Sequence, residues 1–187
     1  MPKIFLTISL CLLSCTIWGQ DVSYYKTLAD TTTNDQKRLM AIDSVLSKTF
    51  RVDNDAFITY SEAYISLAKE LDSIEAAAKK AMNLQYILTN IKGEPRRAIT
   101  LIDGVLAEKY KIKDSFLLGG LYLKRGGAHF RINLQDAIDD YTLAIANFGS
   151  NDSVYVADAH LFMGQAYASL GKFVPAGENY DKAYQIF

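Results

Sequence analysis

Reactive side chains are scarce in this 187-residue chain: two cysteines, two histidines, one tryptophan. Charge of one sign is also missing, since 20 Lys and Arg stand against 21 Asp and Glu, a formal net of −1. A balance this close to neutral, with no Lys/Arg run, gives no field that would concentrate nucleic acid or an anionic membrane surface. Prolines number three, at Pro2, Pro95 and Pro175, and the last two fall where a helix would begin, a position where the missing N–H costs nothing. Beyond residue 20 there is no apolar run long enough to span a bilayer and no low-complexity tract. What remains is half apolar and long enough to bury roughly 70% of its unfolded surface without metal or disulfide staples.

The N-terminus holds most of the rare residues. One cation, Lys3, precedes an apolar run from Ile4 to Trp18, followed by Gly19, Gln20 and the first acidic residue, Asp21. A stretch of about 10 to 15 greasy residues is shorter than a membrane span and reads as a signal peptide over 1–20, cut after Gly19 or Gln20. A buried N-terminal helix and an uncleaved anchor are the alternatives. Leu12-Leu13-Ser14-Cys15 is a loose match to a lipoprotein box that would acylate Cys15, although Leu13 fits it badly. Cleavage removes Cys11, Cys15 and Trp18 together. The remaining chain then has no thiol, which excludes a disulfide framework, a Cys nucleophile, a CxxC redox pair and a thiolate zinc site. The expected location is the periplasm or the exterior.

Residues 21–34, ending in the polar run Asp30 to Asn34, read as a linker to a domain over 35–187. Downstream the apolar spacing is helical and rich in Ala, Leu and Ile without alternation. Helices are expected over 35–48, 55–71, 74–91, 95–108, 115–132, 134–147, 153–170 and 174–187.

Internal repetition organises these helices. The last segment carries Ala157, Gly164, Tyr167, Gly171, Ala176, Tyr180 and Ala183. Counting Ala157 as position one, Gly164 is eight, Ala176 twenty, Tyr180 twenty-four and Ala183 twenty-seven. Gly126, Ala137, Tyr141 and Ala144 repeat the pattern one unit upstream if one residue is deleted in the turn around Asn133. Gly93, Ala98, Ile102 and Val105 repeat it again, with Tyr86 where a small residue is expected. Ala56, Tyr60 and Ala63 match only the second helix of a first unit. The position-twenty alanines Ala56, Ala98, Ala137 and Ala176 are spaced 42, 39 and 39 apart. Small residues at eight, twenty and twenty-seven let antiparallel helices approach, and the aromatics fill the gaps.

This pattern resembles the tetratricopeptide repeat (TPR), with helices longer than its usual period of about 34 residues. The resemblance implies an all-α fold, an α-solenoid of about four TPR-like antiparallel helical hairpins, and a protein or peptide partner. In TPR arrays the first helix of each hairpin lines the concave face. Carried over, that implies a groove formed by Asn83, Ile87 and Asn90, then Leu123, Phe130 and Arg131, then Asp158, Leu161 and Gln165. Leu84, Gly120 and Phe162 stand where a carboxylate clamp would need Lys, Asn or Arg. A mixed apolar and amide groove suits an extended peptide or a helix.

Other features read as structure. His129 and His160 fall at core positions with no HExxH, so each is expected to be packed rather than metal-bound. Gly126 is expected to permit close packing, and Gly119 and Gly120 to mark an irregular helix start. Adjacent acids such as Asp139 and Asp140 point about 100° apart and are read as a solvated face. No nucleophile, base, metal or cofactor set converges, so an exported, non-catalytic scaffold is expected. Phe187 falls inside the last helix, which points to self-association through that helix or to a longer protein. The rival reading is therefore the extracytoplasmic sensor region of a membrane signalling protein, with a kinase or DNA-binding output, distinguishable by a following span of about 20 apolar residues. An assembly factor for surface systems is a third.

Overall fold

The computed structural model describes residues 22–149 and 153–187; the N-terminal apolar run with Cys11, Cys15 and Trp18 lies outside the described residues. All regular structure described is helical. After α1 (22–31) come α2 (Asp35–Thr49), α3 (Asn54–Glu70) and α4 (Ile74–Tyr86), the last continuing as a π-helical turn, Ile87–Ile91. Then follow α5 (Pro95–Leu106), a 3-10 turn at Lys109–Lys111, α6 (Ser115–His129), α7 (Leu134–Asn147), α8 (Ser153–Ser169) and α9 (Phe173–Ile186). The expected all-α repeat is the fold observed; of the expected helices only α4 ends more than three residues from its expected bound, at Tyr86 where the π turn takes over.

Two segments differ from the sequence reading. Residues 22–31, taken for linker, are helical, because Val22, Tyr25, Leu28 and Ala29 form an apolar stripe at helical spacing and Ala29 is buried. Of the polar run Asp30 to Asn34 only 32–34 stay outside a helix; within α1, Thr27 and Thr31 donate their hydroxyls to the carbonyls of Ser23 and Thr27 at 3.0 and 2.7 Å. The second difference is the π turn, in which the Lys92 N–H reaches back to the Ile87 carbonyl at 2.9 Å.

The chain forms two compact units, one ending at Leu67 and the other Ala68–Phe187. In the first, Asn34 caps α2 by accepting from the Lys37 N–H at 2.9 Å. Its core is the stripe Ala41, Ile42, Val45 and Leu46 with Phe57, Ile58 and Ile65. The Tyr60 hydroxyl donates to the Asp30 carboxylate at 3.1 Å, tying α3 to α1.

The second unit contains three helix pairs, α4/α5, α6/α7 and α8/α9. Contacts running in opposite senses make the pairs antiparallel: a Cβ on Gly119, early in α6, would meet Phe148 at the end of α7, whereas one on Gly126, late in α6, would meet Tyr141 in mid-α7. Tight turns close the pairs. Gly171 adopts φ 73°, which lets the Lys172 N–H reach the Tyr167 carbonyl at 2.9 Å and cap α8. Helix α6 packs against α4, α5 and α7, and it is apolar around most of its circumference. Gly119 and Gly120 lie within it, buried under Phe148 and Met82. They serve close packing and do not mark an irregular start, because α6 is already regular from Ser115, where Asp114 caps it.

Candidate functional site

On α6, Phe116, Gly120, Leu123, Gly127 and Phe130 recur at alternating steps of four and three, so they share one face. On α8, Tyr155, Asp158, Phe162 and Gln165 do the same. These two faces, with Met82, Gln85, Tyr86 and Asn90 from α4 and its π turn, enclose a cavity of about 410 Å³. Helices α4, α6 and α8 are the first helices of their pairs.

Aromatic rings give the cavity its shape. Phe116 and Tyr155 meet edge to face at 4.9 Å between centroids, and Tyr141 lies 5.9 Å from Phe162. Such pairs each contribute about 0.5–1.5 kcal/mol beyond the area they bury, which fixes the walls before anything binds. Polar groups are interleaved with the rings. Arg131 Nη2 donates to Asn90 Oδ1 at 3.3 Å, spanning the α6 and α4 sides, and Gln85 Nε2 donates to Thr89 Oγ1 at 3.1 Å. Lys124 and Arg131 bring two positive charges to the lining and Asp158 of α8 one negative. Burial, with the neighbouring Asp140 carboxylate, holds the Tyr141 phenol protonated well above its ordinary range.

Six of the nine groove residues read from the sequence come together here: Asn90, Leu123, Phe130, Arg131, Asp158 and Gln165. Three do not. Ile87 is 1% exposed, because it stacks one turn after Leu84 on the buried stripe of α4. Asn83 and Leu161 each sit one residue away from a lining position, Met82 and Phe162, and are turned about 100° from the cavity. Of the aromatic lining only Phe130 was read as groove; Tyr86, Phe116, Tyr141, Tyr155 and Phe162 were missed. The three-and-four spacing of the α6 and α8 stripes was the available signal.

Behind the cavity, Arg125 of α6 joins α7 and α5. Its Nη2 and Nε reach the Asp140 carboxylate at 2.6 and 3.0 Å, and its Nη1 reaches Asp103 at 2.6 Å. Asp140 is 3% exposed, so reading Asp139 and Asp140 as one solvated face fails for Asp140, although Asp139 is exposed. The rotation between neighbours that keeps the two from converging also turns one of them inward. Burial pushes the Asp140 carboxyl up, against the opposing pull of the Arg125 guanidinium. His129 lies 3.8 Å from Asp140, and His160 shares a 2.9 Å hydrogen bond with Asn179, so both imidazoles are packed into hairpins. Among the described residues no group of three or more His, Cys, Asp or Glu stands together as a metal site, and no helix is long and apolar enough to cross a membrane.

Helical pairs locked by small residues against tyrosine, with a cavity shared by their first helices, define a TPR-like helical-repeat fold. Among solved structures the chain is similar to BtubC (BKLC) from P. vanneervenii, with a TM-score of 0.72 at 16% identity over 90% of this chain and 72% of that one. It is also similar to a Rap protein solved in complex with Competence and Sporulation Factor, with a TM-score of 0.66 at 12% identity over 95% of this chain and 51% of that one. No protein-family model matches the sequence, and no curated protein does.

Proposed function

We propose that this chain is a non-catalytic interaction scaffold whose cavity between α4, α6 and α8 holds an extended segment of another protein. The observation that carries the reading is the lining itself. Aromatic walls offer pockets for side chains, and the amides of Asn90 and Gln165 offer partners for a peptide backbone. A Rap protein of similar fold is complexed with Competence and Sporulation Factor, which supports a binding role for such a stack. Export belongs to the same proposal, resting on Lys3 ahead of the Ile4 to Trp18 apolar run and on Gly19 after it.

Panning a random peptide library against the protein tests the site. Enriched peptides are expected to lose at least tenfold in affinity to Phe162→Ala and to Arg131→Glu, and to be indifferent to Lys172→Glu, away from the cavity. Binders insensitive to both cavity variants sink the proposal. Export is checked separately by the mass of the protein recovered from its native cell, which should lack residues 1–19 or 1–20.

A further inference from the structure

Resting on the reading of the cavity as a peptide site, we propose that the segment it takes carries charges of both signs: a basic side chain seated on Asp158 among the rings of Phe116, Tyr155 and Phe162, and an acidic one answered by Lys124 and Arg131. The observation behind it is a pair of charges left without partners. Among the described residues, every other Lys, Arg, Asp or Glu that is buried or half-buried is engaged inside the chain: Lys69 meets Glu108 at 3.4 Å, Lys111 meets Asp72 at 2.6 Å, and Arg125 holds both Asp103 and Asp140. Lys124 and Asp158 are half-buried and make no ion pair or side-chain hydrogen bond, with each other or with any other residue. Both line the cavity.

Neither charge has a local partner within reach. Local pairs in this chain lie three positions apart, as Arg97 and Glu94 do at 2.9 Å and Lys111 and Glu108 at 3.0 Å. Three and four positions from Asp158 stand Val154, Tyr155, Leu161 and Phe162; from Lys124, Gly120, Leu121, Gly127 and Ala128. Asp158 also lies beyond the first turn of α8, out of reach of the helix dipole. A half-buried charge gives up hydration, and a ligand group of opposite sign compensates for it.

The rings assign the signs to places. Tyr155 and Phe162, three positions before Asp158 and four after it, share its face of α8, and Phe116 meets Tyr155 edge to face at 4.9 Å. A carboxylate among aromatic rings suits a cation, which is attracted by both. Arg131 has the neutral Asn90 oxygen as its partner at 3.3 Å, so its end of the cavity presents positive charge. Helices α6 and α8 both run antiparallel to α7 and therefore parallel to each other. Asp158 is three residues past Tyr155 and Arg131 fifteen past Phe116, a separation of about 18 Å along the helices at about 1.5 Å per residue. The two signs are sorted along the cavity, and a charged segment enters it in one direction.

The test is panning of a random peptide library against the full chain, followed by binding of the enriched peptides, made synthetically, to Asp158→Asn, to Lys124→Gln and, as a control for net charge, to Asp181→Asn on the exposed side of α9. All three residues are at least partly open to solvent, so the variants should keep the wild-type circular dichroism spectrum. The peptides are expected to share a Lys or Arg and an Asp or Glu, to lose about tenfold in affinity to each cavity variant, and to be unmoved by Asp181→Asn. Replacing the shared basic residue by Glu should weaken binding to the wild type and restore it on Asp158→Lys. Peptides that lose affinity to Phe162→Ala and Arg131→Glu, yet share no basic residue and bind Asp158→Asn as tightly as wild type, overturn the charge assignment and leave the cavity standing as a peptide site. Binders insensitive to every cavity variant overturn both.

Discussion

The third hairpin, α6/α7, and the fourth, α8/α9, share one register but not one environment. In both, a glycine at position eight lies under the tyrosine at position twenty-four: a Cβ on Gly126 would come to 2.6 Å of Tyr141, and one on Gly164 to 2.7 Å of Tyr180. Yet Tyr141 is 2% exposed and Tyr180 37%, because α8 covers the far side of Tyr141 while nothing among the described residues packs on that side of Tyr180. Position twenty-three differs in kind. Asp140 is charged and clamped by Arg125, whereas Asn179 is neutral, meeting His160 and donating to the Pro175 carbonyl at 2.8 Å. Both are buried. The ion pair occurs where three helices supply partners, and the amide where one hairpin must satisfy its own polar group. In a stack whose stability sums over neighbours, the same local sequence has different energetic weight in different repeats.

Tyrosine truncation tests that weight most severely. Tyr141→Ala empties a site closed on both sides and should cost about 3–5 kcal/mol, read as a lowered urea midpoint by circular dichroism. Tyr180→Ala removes a half-covered ring and should cost about 1–2 kcal/mol by the area it buries. Its loss should appear in hydrogen exchange of α8 and α9 alone. Equal losses would break the comparison.

The polar positions come next. Asp140→Ala leaves Arg125 half-buried with only Asp103 to answer it, at a cost of about 2–3 kcal/mol. Asn179→Ala removes neutral hydrogen bonds, at about 1 kcal/mol. Restoring a neutral acceptor with Asp140→Asn should recover less than half of the first loss, if charge is what the third hairpin uses.

Smaller still is the glycine pair. Gly126→Ala forces a methyl against a ring that cannot move, and overpacking of about 1–3 kcal/mol should outweigh the gain of up to about 1 kcal/mol in helix propensity. At Gly164 the Tyr180 ring has open solvent to turn into, although the Ala176 carbonyl stays at 3.2 Å. Gly164→Ala should therefore melt within about 2 °C of wild type while Gly126→Ala melts several degrees lower, on the scale of a domain this size.

The hairpins were legible because their markers act locally: a small residue at positions eight, twenty and twenty-seven permits approach whatever surrounds it. Ala98, Ala137 and Ala144, all 0% exposed, are positions where register alone predicts burial. Neither the burial of Asp140 nor the rotation of Ile87 out of the groove could be read the same way. Asp140 turns inward because Arg125, fifteen residues away, meets it, and Ile87 because its own stripe on α4 has drifted from the repeat. Of the groove residues carried over from the repeat pattern, six line the cavity, and Asn83, Ile87 and Leu161 each stand one residue from a lining position, in the fourth hairpin as well as the second. Phe116, Tyr155 and Phe162 were written in the 116–120–123–127–130 and 155–158–162–165 spacings, a helical signal that a search by repeat position passes over.

The first hairpin extends the comparison to a third tyrosine at the same register position. Tyr60 is neither sandwiched like Tyr141 nor set on a glycine; its hydroxyl donates to Asp30 of α1. Partial burial, then that hydrogen bond and the charge of Asp30, push its phenol up from near 10 to about 12. Because the folded value lies above the unfolded one, the stabilisation is fully present below pH 10 and is lost as pH rises through about 12. Tyr60→Phe removes the titrating group, so its urea midpoint should fall less steeply than wild type between those two pH values, with the other tyrosines and the lysines common to both proteins. Parallel slopes would mean that Tyr60 is held by its ring alone. Its role would then be the filler role of Tyr141, and the contrast between repeats would reduce to how many helices cover each ring.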